Sequence, residues 1–316
     1  MMNIAFWDNQ LCERGTTVSL YDYAYYNQTI LNNKSFIFYD KNNRENKQSI
    51  IDKFTKHFIV HETDNFKEVD YYLEKYNITH IYIIKSGKKE QHLRLSKIAK
   101  NCIHCVFNCN EPHGEVYSSI SPGVIGNGGK FPVVPHMINL PNHNRNMRIK
   151  LNIPETAIVF GGYGGTGSFN ISFVHNVIYS IAIKNPNIYF LFANFNIFCP
   201  KLTNIIHLPM ITDLEEKVEF INTTDAMIWA RGEGETFGIA IGEFSSKNKP
   251  IIAMKTGDLA HAHILKDKGI WYSNNNDLYT ILSYFNPNNE KHKDWNAYTD
   301  YTPENVMSLF KQIYLD

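Results

Sequence analysis

The chain has no surplus charge of either sign. Lys+Arg and Asp+Glu number 31 each among 316 residues, so no net field draws it to nucleic acid or an anionic membrane. Long apolar runs are missing too: the longest, such as IYFLFANF, fall far short of the ~20 residues that cross a bilayer. The opening MMNIAFWDNQ lacks the basic and apolar regions of a signal peptide. Cysteine is sparse: five residues, an odd number with three close together, do not make a disulfide framework. No short repeat or low-complexity block is visible. These absences lead us to expect a cytoplasmic protein acting on a small molecule, with no nucleic-acid partner and no integral membrane segment.

What is present is alternation. Apolar residues make up 43% and aromatics 14% of the chain, enough for two cores. In the first half MNIAFW, KSFIFYD, FIVHE, THIYIIK and IHCVFN read as strands, with FPVVPHMI as a final one. The pattern restarts with AIVFG, IYFLFANF, IIHLPM, AMIWA, PIIAM and IWYS. Helical segments fall between them, among them SFNISFVHNVIYSIAIK, DLEEKVEFINT, TFGIAIGEFSSK and LAHAHILKDK. Such alternation implies βαβ units and parallel sheets. The predicted fold is α/β, two doubly wound Rossmann-like domains facing each other across a cleft. The expected boundaries are 1–142, 143–295 and a C-terminal helix in 296–316, with Thr302 or Pro303 at its start. Ligands of such sheets sit beyond the carboxyl ends of strands, so candidate residues are those just after strands.

The first candidate is FGGYGGTGSF, Phe160 to Phe169. Gly162, Gly164 and Gly167 satisfy G-x-G-x-x-G, but the acid wanted ~20 residues later is absent, since Asn194 and Asn196 stand there. That disfavours a nicotinamide enzyme and leaves phosphate binding by backbone N–H groups at a helix N-terminus beside a purely structural turn. Ser168 is a candidate cap and phosphate donor.

The second is RGEGETFGIAIGEF, Arg231 to Phe244. Arg231 begins the loop after a strand, and Glu235 falls on that loop or at the first helical position. Glu243 falls inside a helix with little polar face. Eight helical positions advance the chain by about 12 Å, which would set the carboxylates at different depths along an extended ligand. A carboxylate at 243 needs a partner, and a polyhydroxylated ligand would supply one.

GETFGIAIGEFSSKNKPIIA resembles the E-x7-E region of retaining GT-B-fold glycosyltransferases, particularly the family 4 group. Glu235, Phe237, Gly238, Glu243, Pro250, Ile251, Ile252 and Ala253 match its pattern in order. The likeness extends to IVFGGYGGTGSF as phosphate turn, LCERGTTVSLYDYA as acceptor or phosphate loop and NEPHGEVYSSIS as a histidine-bearing segment. It implies transfer of a sugar from a nucleotide-sugar donor to a hydroxyl acceptor, a glycan or small molecule, with retention. No cofactor is implied beyond the co-substrate. On that resemblance Glu243 would hold the donor ribose and Glu235 the transferred sugar. Gly164, Gly165, Ser168, Arg231, Phe237 and Gly238 would line the donor site. His113 would sit near the donor sugar or acceptor, with Gly15 and Thr16 in the first loop. The family's Arg and Lys of the phosphate turn are replaced here by Gly162 or Tyr163 and Gly167 or Ser168. No D-x-D triplet occurs, so a metal-independent reaction is expected. An epimerase of the same fold and a non-catalytic sugar-nucleotide-binding module are the alternatives.

Two groupings carry less. Cys102, Cys105, Cys109 and His113 have metal-like spacing, but Cys102 and Cys105 alternate faces on a strand. His261 and His263 are two apart in a helical segment, poor spacing for one face, and are expected at the surface, the alternative for His261 being a place near the donor in a loop just after PIIAM.

Overall fold

The computed structural model describes residues 1–64, 66–90 and 95–316. The chain forms two compact units, Met1–Met137 with Asp300–Asp316, and Ile138–Thr299.

The first unit is a parallel sheet of β1 (Asn3–Asp8), β2 (Lys34–Asp40), β3 (Ile59–Thr63), β4 (His80–Lys85), β5 (Lys100–Cys105) and β6 (Val116–Ser119), ordered β3-β2-β1-β4-β5-β6. Ile4, Ala5, Phe6, Phe36, Phe38, Ile81 and Ile83 have almost no exposed surface, as strands covered on both faces require. Strand β6 lies in VYSS, within the segment read only for its histidine. FPVVPHMI makes no strand, only a bridge from Val133 to Ser119. Pro132 and Pro135 lack the N–H that a ladder needs.

The chain's last helix, Pro303–Phe310, completes this unit. Thr302 caps it by accepting from the Asn305 N–H at 3.3 Å. Phe310 stacks on Phe6 and Tyr23 with centroids 6.1 and 5.4 Å apart. The Tyr314 hydroxyl meets Ser118 inside the same core.

The second unit contains β7 (Ile158–Tyr163), β8 (Ile188–Ala193), β9 (Ile205–Leu208), β10 (Ala226–Ile228), β11 (Gly234–Glu235), β12 (Ile251–Met254), β13 (Asp258–Leu259) and β14 (Gly269–Tyr272). Six of them form a parallel sheet in the order β14-β12-β10-β7-β8-β9, and β11 pairs with β13 separately. Each large sheet therefore has the 3-2-1-4-5-6 order of a Rossmann domain. The order reverses between β1 and β4 in one sheet and between β7 and β10 in the other. Segment 138–147 belongs to the second unit: Lys247 donates to Pro141 O, and the Met147 N–H donates to Thr223 Oγ1 at 2.7 Å. Among the described residues no helix is long and apolar enough to cross a membrane.

Candidate active site

At the switch point of the second sheet, the loops after β7 and β10 lie side by side. The turn after β7 carries Gly164, Gly165 and Ser168, and the loop after β10 carries Arg231 and Glu235. Asn170 fastens one to the other. Its amide donates to both Glu233 oxygens at 3.1 and 3.0 Å, its Oδ1 accepts from the Gly232 N–H at 2.8 Å, and its own N–H donates to Ala230 O at 2.9 Å.

The glycine-rich turn is shaped by packing. A Cβ on Gly162 would stand 2.8 Å from Ile228 O, and one on Gly164 would stand 2.6 Å from Ser168 Oγ; beyond Gly167 the space is open. The Ser168 hydroxyl donates to Gly165 O at 2.7 Å. Ser168 does not cap the following helix, which starts at Ser172 with Ile171 as N-cap and no side-chain cap bond. The turn closed by Ser168 and the extended residues to Ile171 delay the helix by four positions. Asn194, where a dinucleotide fold wants an acid, adopts φ +60° and donates to Gly164 O at 2.7 Å. It buttresses the turn.

Glu235 is not on a helix. It lies in the two-residue β11, and the helix begins four residues later, at Ile239, after Gly238 in left-handed conformation. The cause is a close crossing of two loops. A Cβ on Gly234 would meet Asp258 N at 2.3 Å, and one on Gly257 would meet Glu233 O at 2.0 Å. Both glycines have positive φ, and their contact lets β11 pair with β13. The expected helical rise between the two glutamates therefore does not apply.

The Glu235 side chain is 19% exposed. Oε1 accepts from the Trp229 indole N–H at 3.1 Å, and Oε2 lies 3.4 Å from Arg231 Nη1. Burial pushes its carboxyl above the usual carboxylate range, opposed by the Arg231 charge and the indole bond. Trp229 is held in turn by His261, with rings 4.5 Å apart. His261 is not at the surface: it is fully buried, with Nε2 3.0 Å from Met254 O. The preceding β13 turns the short helix Ala260–Leu265 inward.

Glu243 is buried, at 6% exposure. Oε1 accepts from Lys217 Nζ at 2.8 Å and Oε2 from the Tyr163 hydroxyl at 2.6 Å. The partner that a buried carboxylate requires is thus present within the chain. Burial and the Glu243 carboxylate hold the Tyr163 hydroxyl well above its ordinary pKa. Phe237, 2% exposed, receives the Tyr298 hydroxyl on its carbonyl at 3.0 Å, which fixes the approach to Gly238.

Sequence reasoning did not single out Lys217, Trp229 or Asn170, nor the bond from Tyr163 to Glu243. Lys217 lies on the helix Leu214–Thr223 and Trp229 ends the apolar run AMIW, so neither stands out from ordinary helix or core residues.

The remaining candidates belong to the first unit. Gly15 and Thr16 open the helix Gly15–Thr29, whose N-cap is Arg14 without a side-chain cap bond. Beside them Asp8, fully buried at the end of β1, accepts from Arg14 and from Thr17 Oγ1 at 2.9 Å. Burial raises the Asp8 carboxyl to about 6 despite both partners. His113 lies between β5 and β6, and its Nδ1 is 2.6 Å from Glu111 O. A carbonyl only accepts, so Nδ1 carries the proton, and the buried Nε2, which has no partner among the described residues, carries a lone pair. Burial lowers the His113 pKa. Cys102, Cys105 and Cys109 are free, buried thiols. Among the described residues no three His, Cys, Asp or Glu side chains come together as a metal site.

Two Rossmann-like domains in one chain, each with a six-stranded parallel sheet, constitute the GT-B fold. Solved structures sharing it cover 99% of this chain. They include a glycosyltransferase from Rickettsia africae (15% identity, 94% of that chain, TM-score 0.68). Anabaena HepE in complex with UDP-glucose is another (12% identity, 96% of that chain, TM-score 0.68). Sucrose-phosphate synthase from Thermosynechococcus elongatus is a third (12% identity, 95% of that chain, TM-score 0.65). No protein-family model matches the chain, and no curated protein does.

Proposed function

We propose that the chain is a retaining, metal-independent glycosyltransferase that moves a hexosyl or related sugar from a nucleotide-sugar to a hydroxyl acceptor. The observation that carries this reading is Glu235. It is a partly exposed carboxylate beside the switch point of the second sheet, oriented by Trp229 and Arg231 and eight residues before Glu243. The fold shared with HepE, solved with UDP-glucose, supports the donor class.

In this reading the bond from the sugar's anomeric carbon to the diphosphate breaks and a bond to the acceptor oxygen forms. The acceptor proton passes to the departing phosphate. Glu235 accepts hydrogen bonds from hydroxyls of the transferred sugar and positions it. Backbone N–H groups of Gly164 and Gly165, with Arg231, stabilise the charge that develops on the leaving group. Glu243 accepts from the ribose. Two of its roughly four lone-pair sites are engaged by Lys217 and Tyr163, which leaves acceptor capacity. Phe237 and Gly238 shape the approach to that carboxylate. His113, Gly15 and Thr16 serve the acceptor side.

A non-catalytic sugar-nucleotide-binding module is the second reading. It is favoured by the phosphate turn, which carries no Arg or Lys and whose Ser168 hydroxyl is already engaged with Gly165 O.

The test is a thermal-shift and turnover series with UDP-, GDP- and ADP-sugars and NAD, with and without EDTA, on the protein and its Glu235→Gln variant. A ligand at 100 times its Kd adds about 2.7 kcal/mol of stability. One nucleotide-sugar should stabilise the protein regardless of EDTA and be turned over, with turnover falling ~10²–10³-fold in the variant. Binding without turnover selects the module. A response to NAD alone, or to nothing, overturns both readings.

A further inference from the structure

The helices Ser172–Lys184 and Asn275–Tyr284 leave an open groove of about 270 Å³ between them, lined by Phe173, Asn176, Ser180, Asn275, Asn276 and Tyr279. No role described so far uses it. Val177, buried, adds the remaining apolar surface.

Its chemistry is specific in three respects. No charged side chain lines it, and the Lys184 ammonium beside it is engaged over the Tyr279 ring. Three side-chain amides and two hydroxyls, of Ser180 and Tyr279, line it, and none of these five side chains makes a hydrogen bond among the described residues. Each amide offers two donors and an acceptor, which matches adjacent hydroxyls that both donate and accept. Two aromatic rings, Phe173 and Tyr279, supply apolar faces. Lys184 Nζ lies 5.4 Å from the Tyr279 centroid, and Phe173 packs edge-on against Tyr272 at 6.0 Å. The volume falls just under the roughly 300–1,000 Å³ of drug-sized ligand pockets, so it suits one or two rings and not a whole nucleotide-sugar.

The groove is also connected to the candidate site. Tyr272 donates through its hydroxyl to Trp229 O at 2.8 Å, and the Trp229 indole holds Glu235. Phe173 is three residues beyond Asn170, which fastens the two loops of that site.

We propose that this groove is a second carbohydrate site, holding one or two uncharged sugar units of a glycan while the nucleotide site acts elsewhere on the unit. The rings take the apolar C–H faces of a sugar, and Asn176, Asn275, Asn276 and Ser180 take its hydroxyls. An exposed site of this size holds its ligand weakly, with a Kd on the order of 1 mM.

The test needs no turnover, so it reads out whether or not the proposed transfer reaction is correct. Uncharged gluco-, manno- and galacto-trisaccharides are titrated into the full-length protein, observed by saturation-transfer NMR and by the asparagine side-chain amide signals. At least one trisaccharide should bind, shift several asparagine amides and remain bound in saturating UDP-glucose. Its Kd should rise about tenfold in Tyr279→Ala and in Asn176→Ala, and stay unchanged in Glu235→Gln. Asn176 is exposed and unbonded, so its variant keeps the test valid if Tyr279→Ala fails to fold. Three results would overturn the proposal: no binding at about ten times the expected Kd, binding undiminished by either groove variant, or displacement by UDP-glucose.

Discussion

The two sheets share one strand order, yet their carboxyl edges are built differently. At the first edge Asp8, at the end of β1, is sealed without exposed surface beside Arg14 and Thr17. At the second, two glutamates divide the work. Glu243 is largely buried and paired with Lys217 and Tyr163, while Glu235 keeps a fifth of its side chain open. Burial of Asp8 outweighs the relief from Arg14 and Thr17 and raises its carboxyl to about 6. With the same strand order in both sheets, the loops and not the sheet decide how far each acid is exposed and what it is paired with.

That contrast can be broken at several points. The largest effect is expected at Glu243. Its replacement by Ala leaves Lys217 buried without a counter-charge and should cost about 3–5 kcal/mol in urea unfolding. Glu235→Ala removes a partly exposed group and should cost no more than about 1 kcal/mol while abolishing donor turnover. Equal stability losses in the two variants would refute the division of roles.

Next is the pH response of the first edge. The native state holds the Asp8 proton more tightly than the unfolded chain, whose carboxyl titrates near 3.8 against about 6 in the fold. The native state therefore binds more protons between about pH 4 and 6. Its contribution is full below pH 4 and is lost as the pH rises through 6. Relative to Asp8→Asn, the protein should gain up to about 3 kcal/mol on going from pH 7 to pH 4, read from unfolding curves at each pH. A pH-independent difference would show that Arg14 compensates the charge fully.

Gly257→Ala tests the crossing that positions Glu235. A Cβ placed 2.0 Å from Glu233 O at positive φ should cost about 2 kcal/mol and raise the donor Kd. Unchanged donor binding would mean that the β11–β13 pairing is not needed by the site. The smallest effect is expected from Tyr163→Phe, which removes one hydrogen bond to Glu243 and should cost about 1 kcal/mol in thermal unfolding.

The alternation of apolar runs is enough to read the two α/β halves, because strands covered on both faces need near-continuous Ile, Val and Phe. Two elements escaped it for local reasons. The apolar Phe, Val and Ile of FPVVPHMI make it look like a strand while prolines at 132 and 135 remove its donors, and the polar VYSS hides β6 because its serines bond inside the unit. At the candidate site, the pattern from Glu235 to Ala253 singles out a segment that carries one partly exposed and one buried glutamate. It cannot disclose that Gly234 and Gly257 touch, for they are far apart in sequence and joined only by the crossing. Nor can it reveal that Lys217, on another helix, neutralises Glu243, since a lysine on a helix face is ordinarily solvated.

The return of the last helix to the first unit governs the order in which the chain can fold. Phe310 and Tyr314 fill the core against Phe6, Tyr23 and Tyr82, so the unit that emerges first from the ribosome is the last to be completed. The second unit is continuous from Ile138 to Thr299 and has all its own residues before the chain ends. At roughly 5–20 residues per second of synthesis, the first sheet waits on the order of ten seconds or more with one side of its core open. The apolar surface that Phe310 and Tyr314 will cover is during that time the natural place for a chaperone to hold the nascent chain.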